Sequence, residues 1–99
     1  MNSLTSIASS GMAAAQTRLQ SSASNIANLS TENYRRQEVS QTAQTGGGVS
    51  ATVSRAPAEG AAMETDMVAQ LQAKNSFLAN LAVFKTSSQM QGALLNEKA

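Results

Sequence analysis

Apolar positions recur with helical spacing over the first thirty residues. Successive members are three or four residues apart: Met12, Ala15, Leu19, Ser22, Ile26 and Leu29, preceded by Leu4, Ile7 and Ala8. This spacing places side chains on one narrow stripe of an α-helix, as in a coiled coil. We therefore predict a helix from about Ser3 to Asn28. Gly11 and the many serines lower its helix propensity, so the segment would be marginal by itself.

A second, longer helical pattern extends from about Gly60 to Lys98. One apolar stripe of this helix contains Met63, Met67, Leu71, Leu78, Leu81 and Ala82. Other apolar residues spread onto further faces: Phe77, Val83, Phe84, Met90, Leu94 and Leu95. A single partner helix cannot cover all of these faces, and a helix that is apolar on several sides is normally buried on several sides. In so short a chain, this pattern predicts contacts with other subunits.

The segment between the helices alternates weakly around a glycine turn. Residues 34–45 are mainly polar, Gly46, Gly47 and Gly48 form a turn signal, and apolar residues then alternate with Ser and Thr up to Ser54. This pattern predicts a β-hairpin. The hairpin must pack against the helices or a neighbouring subunit, because an isolated pair of strands is only marginally stable in water. A flexible Gly/Ser/Thr/Gln linker is the alternative interpretation.

Together these patterns predict a mainly α fold in a single domain of residues 1–99. Two long antiparallel helices from the chain ends form a coiled-coil-like pair, joined by a short β-hairpin or extended segment. The predicted parts are an N-terminal helix over residues 1–31, a turn and hairpin over residues 32–58, and a C-terminal helix over residues 59–99.

Composition excludes several classes of function. Only 13% of the 99 residues are charged and the net charge is +1, against a usual charged fraction of about 25%, so the surface suits contact with protein. The only basic cluster, Arg35-Arg36, is interleaved with Glu32 and Glu38, which argues against nucleic-acid binding. Cys and His are absent, which removes disulfides, thiolate or imidazole metal ligands, and nucleophiles activated by His.

Two remaining features could suggest chemistry but have simpler interpretations. Three acidic residues lie near the start of the second helix: Glu59, Glu64 and Asp66. The helix dipole stabilises acidic side chains at this end of a helix. We prefer this structural role over acid–base catalysis or a hard cation. The triple glycine lacks the Lys-Ser/Thr of a phosphate-binding loop and is predicted to be a hairpin tip. We therefore expect no enzyme activity and no catalytic, cofactor or metal site.

Residues 23–36 carry a recognisable motif: Ala-Ser-Asn-Ile-Ala-Asn-Leu-Ser-Thr-Glu-Asn-Tyr-Arg-Arg. It resembles the Ala-Asn-x-x-Thr-x-Gly-Tyr signature of the bacterial flagellar axial proteins, which build the rod, the hook and the hook-filament junction. Asn33 stands where the family usually carries Gly. Because Asn is the non-glycine residue most tolerant of positive φ, the same left-handed turn is available.

The carboxy-terminal run resembles the same family at its other end. From Asp66 to Leu95 it contains Asp-Met-Val, Ser-Phe-Leu-Ala-Asn, Val-Phe-Lys-Thr and Leu-Leu, as in the family's C-terminal helix. The short segment between the helices leaves no room for hook-type surface domains. The chain is therefore most like a minimal proximal-rod protein.

The resemblance implies a structural subunit of the flagellar basal-body rod that self-assembles through its terminal helices. Its expected partners are copies of itself, other flagellar axial proteins and the flagellar type III export apparatus; nucleic acid, membrane insertion and a small-molecule substrate are not expected. Export would proceed without a cleaved signal peptide, since no Lys or Arg precedes Arg18 and polar residues interrupt the apolar run before it. The alternatives are a soluble export adaptor or assembly regulator that mimics a rod subunit, and a helical homo-oligomer unrelated to motility.

The apolar faces and the motifs predict the following subunit-interface residues: Leu4, Ile7, Met12, Leu19, Asn25, Ile26, Asn28, Leu71, Phe77, Leu78, Asn80, Leu81, Phe84, Met90 and Leu94. Asn33 and Tyr34 are predicted to form a turn and an anchor. Asn25 and Asn28 either hydrogen-bond across an interface or end the helix by binding its carbonyls. The Tyr34 ring either packs in the core or contacts another subunit.

Overall fold

In chain order, the fold consists of a helix, a two-stranded hairpin and a second helix. The computed structural model describes the backbone of residues 2–98 and the side chains of residues 4–94. Helix α1 spans Asn2–Ala27, strand β1 Gln37–Ala43, strand β2 Val49–Arg55, and helix α2 Met63–Lys98. This confirms the mainly helical fold with a short hairpin between two paired helices. Leu95, one of the apolar residues that the sequence places on the second helix, lies outside the described side chains.

The two helices are antiparallel, as predicted. The Arg18 Nη2 donates to Gln72 Oε1 at 3.2 Å, and Asn25 Nδ2 donates to Asp66 Oδ1 at 3.2 Å. Residues further along α1 thus meet earlier residues of α2. In this register residues 90–98 of α2 extend past the described start of α1.

Small residues form the contact between the helices. On α1 the buried row contains Ala8, Ala15, Ser22 and Asn25, and on α2 it contains Asp66, Ala73 and Ser87. A Cβ atom added to Gly11 would lie 2.5 Å from Asn80 Oδ1, so the chains approach closely at this point. The predicted stripe of α1 is therefore only partly correct. Its large members Met12, Leu19 and Ile26 are half-buried beside the contact, because a large side chain at its centre would hold the helices apart.

The hairpin is antiparallel and lies along α1. Its register runs from Gln37↔Arg55 to Ala43↔Val49, and its strands pack on α1 and not on α2 within the described residues. At the tip, the backbone N–H of Val49 donates to Ser10 Oγ at 3.1 Å. The glycines of the turn have positive φ, as a hairpin tip requires. The hairpin interpretation is thus confirmed and the flexible-linker alternative is wrong.

Three boundaries differ from the sequence-based prediction by one to three residues. Helix α1 ends at Ala27, where the side chain of Asn28 donates from Nδ2 to the carbonyl oxygen of Ser24 at 2.8 Å. Strand β1 begins only at Gln37, after an irregular turn. Helix α2 begins at Met63 and not at Gly60, because Gly60 has φ 141°, which is not helical.

The molecule is elongated. Its principal extents are 62 × 24 × 14 Å and its radius of gyration is 17.2 Å, against about 13 Å for a compact domain of 100 residues. A flat pair of helices with one hairpin encloses little volume, so the buried apolar side chains are alanines: Ala8, Ala14, Ala15 and Ala73.

Candidate functional site

Large apolar side chains are exposed along α2. They are Met63, Met67, Val68, Leu71, Leu78, Val83, Met90 and Leu94. The face of α2 that contacts α1 is instead occupied by small and polar residues, among them Asp66, Ala73 and Ser87. Because α1 covers the small-residue face, the apolar faces that the sequence predicted for α2 point into solvent in a single chain.

Most of these exposed residues belong to one of two groups. The first, which we name the outer row, consists of Met63, Met67, Leu71 and Leu78, each 49–59% exposed. At 3.6 residues per turn these four residues lie within an arc of roughly 80° on α2. The outer row is thus an apolar ridge on the amino-terminal half of α2, interrupted by Lys74 between Leu71 and Leu78.

The second group surrounds a shallow groove near the start of α1, which we name the end groove. It has a volume of about 250 Å³ and is lined by Leu4, Ala82, Val83, Thr86, Ser87 and Met90. None of these residues is charged. The hydroxyl of Ser87 is buried in the wall of the groove and has no hydrogen-bond partner. A buried hydroxyl without a partner is unfavourable in the isolated chain.

A third feature is a cluster of polar side chains where the hairpin meets both helices. We name it the polar junction, and it consists of Asn25, Tyr34, Arg36 and Asp66. The Asn25 side chain forms hydrogen bonds with both the backbone N–H and the backbone carbonyl of Gln37. Its Oδ1 accepts from the Gln37 N–H at 2.7 Å, and its Nδ2 donates to the Gln37 carbonyl at 3.0 Å. Asn25 thereby fixes the start of β1 on the end of α1.

The carboxylate of Asp66 is the buried centre of the junction. It is 2% exposed and accepts from Asn25 Nδ2 and from Arg36 Nε at 3.1 Å, with a second contact from Arg36 Nη2. The hydrogen bond to Asp66 raises the pKa of Arg36 above its ordinary value, although burial opposes this effect. The ion pair of Arg36 with Asp66 thus ties the hairpin to α2.

Tyr34 lies at the end of the polar junction that is nearest the turn. Its hydroxyl lies 3.1 Å from Ser24 Oγ and donates to Asn25 Oδ1 at 3.2 Å. The guanidinium of Arg55 lies over its ring, 5.3 Å from the centroid, within the distance of a cation–π interaction. Tyr34 is half-buried. These contacts of Tyr34 thus lie within the chain, and its role as an anchor stays a prediction.

The turn before Tyr34 has the geometry that the sequence predicted. Asn33 has φ 61°, the left-handed conformation in which glycine is most common. With its amide nitrogen oriented toward Glu59, Asn33 donates to the two carboxylate oxygens at 3.0 and 3.2 Å. Asn therefore replaces Gly here without loss of the turn and adds a contact to the segment before α2.

The side chains of the polar junction are paired with one another. Among the described side chains, the one buried carboxylate accepts hydrogen bonds from an arginine and an asparagine. Among the side chains of residues 4–94, no group of acidic residues is arranged to hold a metal ion. In the same part of the chain no helix is long and apolar enough to cross a membrane.

The sequence-predicted interface residues fall into three classes of exposure. Those that are exposed in a single chain are Leu4, Ile7, Leu71, Leu78, Met90 and Leu94. Those that are half-buried are Met12, Leu19, Ile26, Asn28, Phe77, Asn80, Leu81 and Phe84. Asn25 is buried and its contacts are within the chain. The exposed residues on α2 belong to the outer row or lie near the end groove.

Sequence reasoning missed the partnership of Arg36 with Asp66. The acidic residues were assigned to the helix dipole as one group, and Asp66 does lie in the first turn of α2. Its main partner, however, is an arginine thirty positions earlier. The only signal in the sequence was that both residues flank the hairpin, and pairing them requires knowing that β1 and β2 bring its two ends together.

Comparison with known proteins gives one match. Residues 6–35 match the family model described as "Flagella basal body rod protein". The matched range contains most of α1, including the buried row that contacts α2, and continues through the turn at Asn33 and Tyr34. No curated protein matches the chain.

Proposed function

Because the match over residues 6–35 supports the flagellar axial protein family, we propose that this chain is a self-assembling structural subunit of the flagellar basal-body rod. The family is structural and not enzymatic. Function in such a subunit consists of geometry: rigid helices present faces that bind neighbouring subunits at fixed angles. The terminal helices are the parts of this chain that would supply those faces.

The observation that supports assembly is the exposed apolar surface of α2. Fully burying a Leu or Met side chain contributes about 1.5–3 kcal/mol, so burying the half of each outer-row residue that is still exposed would contribute about 1 kcal/mol per residue before ordering costs. The internal core, made of alanines, contributes comparatively little. A subunit with this distribution gains much of its stability from its neighbours.

The polar junction would support assembly in a different way. Directional hydrogen bonds among Asn25, Arg36 and Asp66 hold the hairpin at one orientation relative to both helices. An apolar contact alone would permit sliding, because the hydrophobic effect is not directional. A subunit that must repeat identically along a rod requires such a fixed shape.

The remaining elements of the proposal concern partners and location. The rod family implies assembly with other flagellar axial proteins and residence in the basal body. We further propose delivery by the flagellar type III export apparatus without removal of a signal peptide. Mass spectrometry of the chain in isolated basal bodies should therefore find the initial residues intact, and a processed amino terminus would contradict this route.

The alternative function is an export adaptor or assembly regulator that mimics a rod subunit. The family match does not favour it. An adaptor would remain in the cytoplasm and bind one export component reversibly, whereas a rod subunit should become part of an ordered assembly.

Sedimentation of the purified protein over a range of concentrations tests the proposal. We expect wild type to form large species as concentration rises, and Leu71→Asp to require at least a tenfold higher concentration because it places a charge in the outer row. Asn75→Asp, an exposed polar position on the same helix, is the matched control and should assemble like wild type. Circular dichroism should show equal helix content in all three. A wild-type protein that stays monomeric at every concentration contradicts self-assembly.

A further inference from the structure

The outer row and the end groove lie on different sides of α2. At 3.6 residues per turn, the outer row is centred roughly 130° around the helix from Val83, Thr86 and Met90 of the groove. A single neighbouring helix covers an arc of about 100°. One neighbour therefore cannot cover both surfaces with one face, and two different contacts are needed.

Both surfaces are mainly apolar. The outer row is a ridge of long, unbranched or γ-branched side chains, whereas the end groove is a depression of about 250 Å³ between the two helices. No charged residue lines the groove, so inserting Met and Leu side chains would not require a charge to be buried.

We infer that the outer row of one copy docks in the end groove of the next copy. This inference rests on the proposed function, since it specifies which surfaces make the contact between copies. The contact is heterologous, because each copy uses a different surface toward each of its two neighbours. A heterologous contact that does not close on itself produces an open filament.

The positions of the two surfaces also set the displacement between copies. The outer row is centred near residue 70 and the end groove near residue 86. With a rise of 1.5 Å per residue and parallel α2 helices, neighbouring copies would be displaced by roughly 24 Å along the helix axis. Each contact alone is small compared with the roughly 20–30 residues per side of a stable interface. Assembly should therefore be weak between two copies and cooperative among many.

Lys74 adds a test of register within the outer row. It is exposed and lies between Leu71 and Leu78 on the same side of α2. A single polar residue in an apolar seam fixes register in coiled coils at some cost in stability. In the inferred contact its ammonium group would reach the solvent rim of the neighbour's groove along its flexible stem.

Engineered disulfides can test this contact cleanly because the chain contains no cysteine. Leu71→Cys places a thiol in the outer row, and Thr86→Cys places one at the end groove. Under assembling conditions with a mild oxidant, a mixture of the two variants should give covalent dimers of mixed composition. Each variant alone should give few dimers, since a heterologous contact does not bring identical positions together. A mass tag on one variant distinguishes mixed dimers from identical ones.

Lys85→Cys is the matched control for Thr86→Cys. It is exposed and next in sequence, but it lies roughly 100° away from Thr86 around the helix, on the face of α2 that carries the outer row and not on the groove. Mixtures of Leu71→Cys with Lys85→Cys should give at most one-tenth of the mixed dimers. Equal yields with both partners, or efficient dimers from Leu71→Cys alone, would overturn the inferred contact.

Sedimentation of the same mixtures separates this inference from the proposed function. Assembly without the Leu71–Thr86 cross-link would overturn the inferred contact and leave the rod role standing. Absence of assembly in wild type as well would overturn both.

Discussion

Removal of either partner of the Arg36–Asp66 pair should destabilise the fold, and the two losses should differ in size. In Arg36→Ala the Asp66 carboxylate, which is 2% exposed in the native chain, retains only the amide of Asn25 as a donor. An uncompensated charge at such a site costs about 3–5 kcal/mol. In Asp66→Ala the guanidinium, already 20% exposed, can turn toward water. We expect this second loss to be about 1–3 kcal/mol.

These losses are large compared with the total stability of the chain. A domain of this length is typically stable by about 5–15 kcal/mol, and a core of alanines places this chain near the lower limit. Arg36→Ala should therefore leave a substantial fraction of the protein unfolded. Arg36→Lys keeps the charge but not the two parallel hydrogen bonds. It should lower the stability by less than Arg36→Ala does, and the loss should remain measurable.

Urea unfolding followed by circular dichroism measures these differences. The experiment requires dilute protein, so that assembly does not add to the stability of the monomer. The double variant Arg36→Ala/Asp66→Ala should lose less than the sum of the two single losses, because it leaves no unpaired charge in the junction. Arg35→Ala removes an exposed arginine one position earlier and should change the stability by no more than about 0.5 kcal/mol. If each single variant loses no more stability than Arg35→Ala, and if the two losses simply add in the double variant, then the polar junction is not a stabilising element.

Three further predictions concern the helix contact, the turn and the first helix. Gly11→Leu should lower stability by about 1–3 kcal/mol because its side chain would collide with Asn80, whereas Gly92→Leu, with open space around it, should be neutral or stabilising in the same thermal melt. Asn33→Val should cost about 1–2 kcal/mol because φ is 61°, and Asn33→Gly, measured beside it, should cost less; equal losses would show that the positive φ is unimportant. Amides of residues 7–26 should exchange faster in the monomer than in the assembly, because neighbouring subunits would add to the stability of α1; equal protection of these amides in a verified monomer and in the assembly would contradict this coupling.

The pattern of the sequence predicts the helices, the hairpin and the turn. Helical spacing identified both long helices, the triple glycine identified the hairpin tip, and Asn33 identified a left-handed turn. Each of these features depends on residues close together in the chain. Local rules of propensity and backbone conformation are therefore sufficient to find them.

The packing between the elements was harder to predict. The predicted stripe of α1 contained Ala8 and Ala15, which are buried, but also Met12, Leu19 and Ile26, which are only half-buried. Small residues give a weak signal in a hydrophobic pattern although they permit the closest approach of two helices. The Arg36–Asp66 pair was missed for a related reason, since it depends on how the hairpin folds back onto α1.

We propose above all that this chain is a structural part of the flagellar rod. Purification of basal bodies from the source cells, with quantitative mass spectrometry of each fraction, tests it most directly. We predict that the chain co-purifies with the rod in amounts comparable to other axial proteins and resists the washes that remove loosely bound proteins. A chain found in the cytoplasmic fraction, absent from basal bodies and bound to an export component, would contradict the claim and support the adaptor alternative.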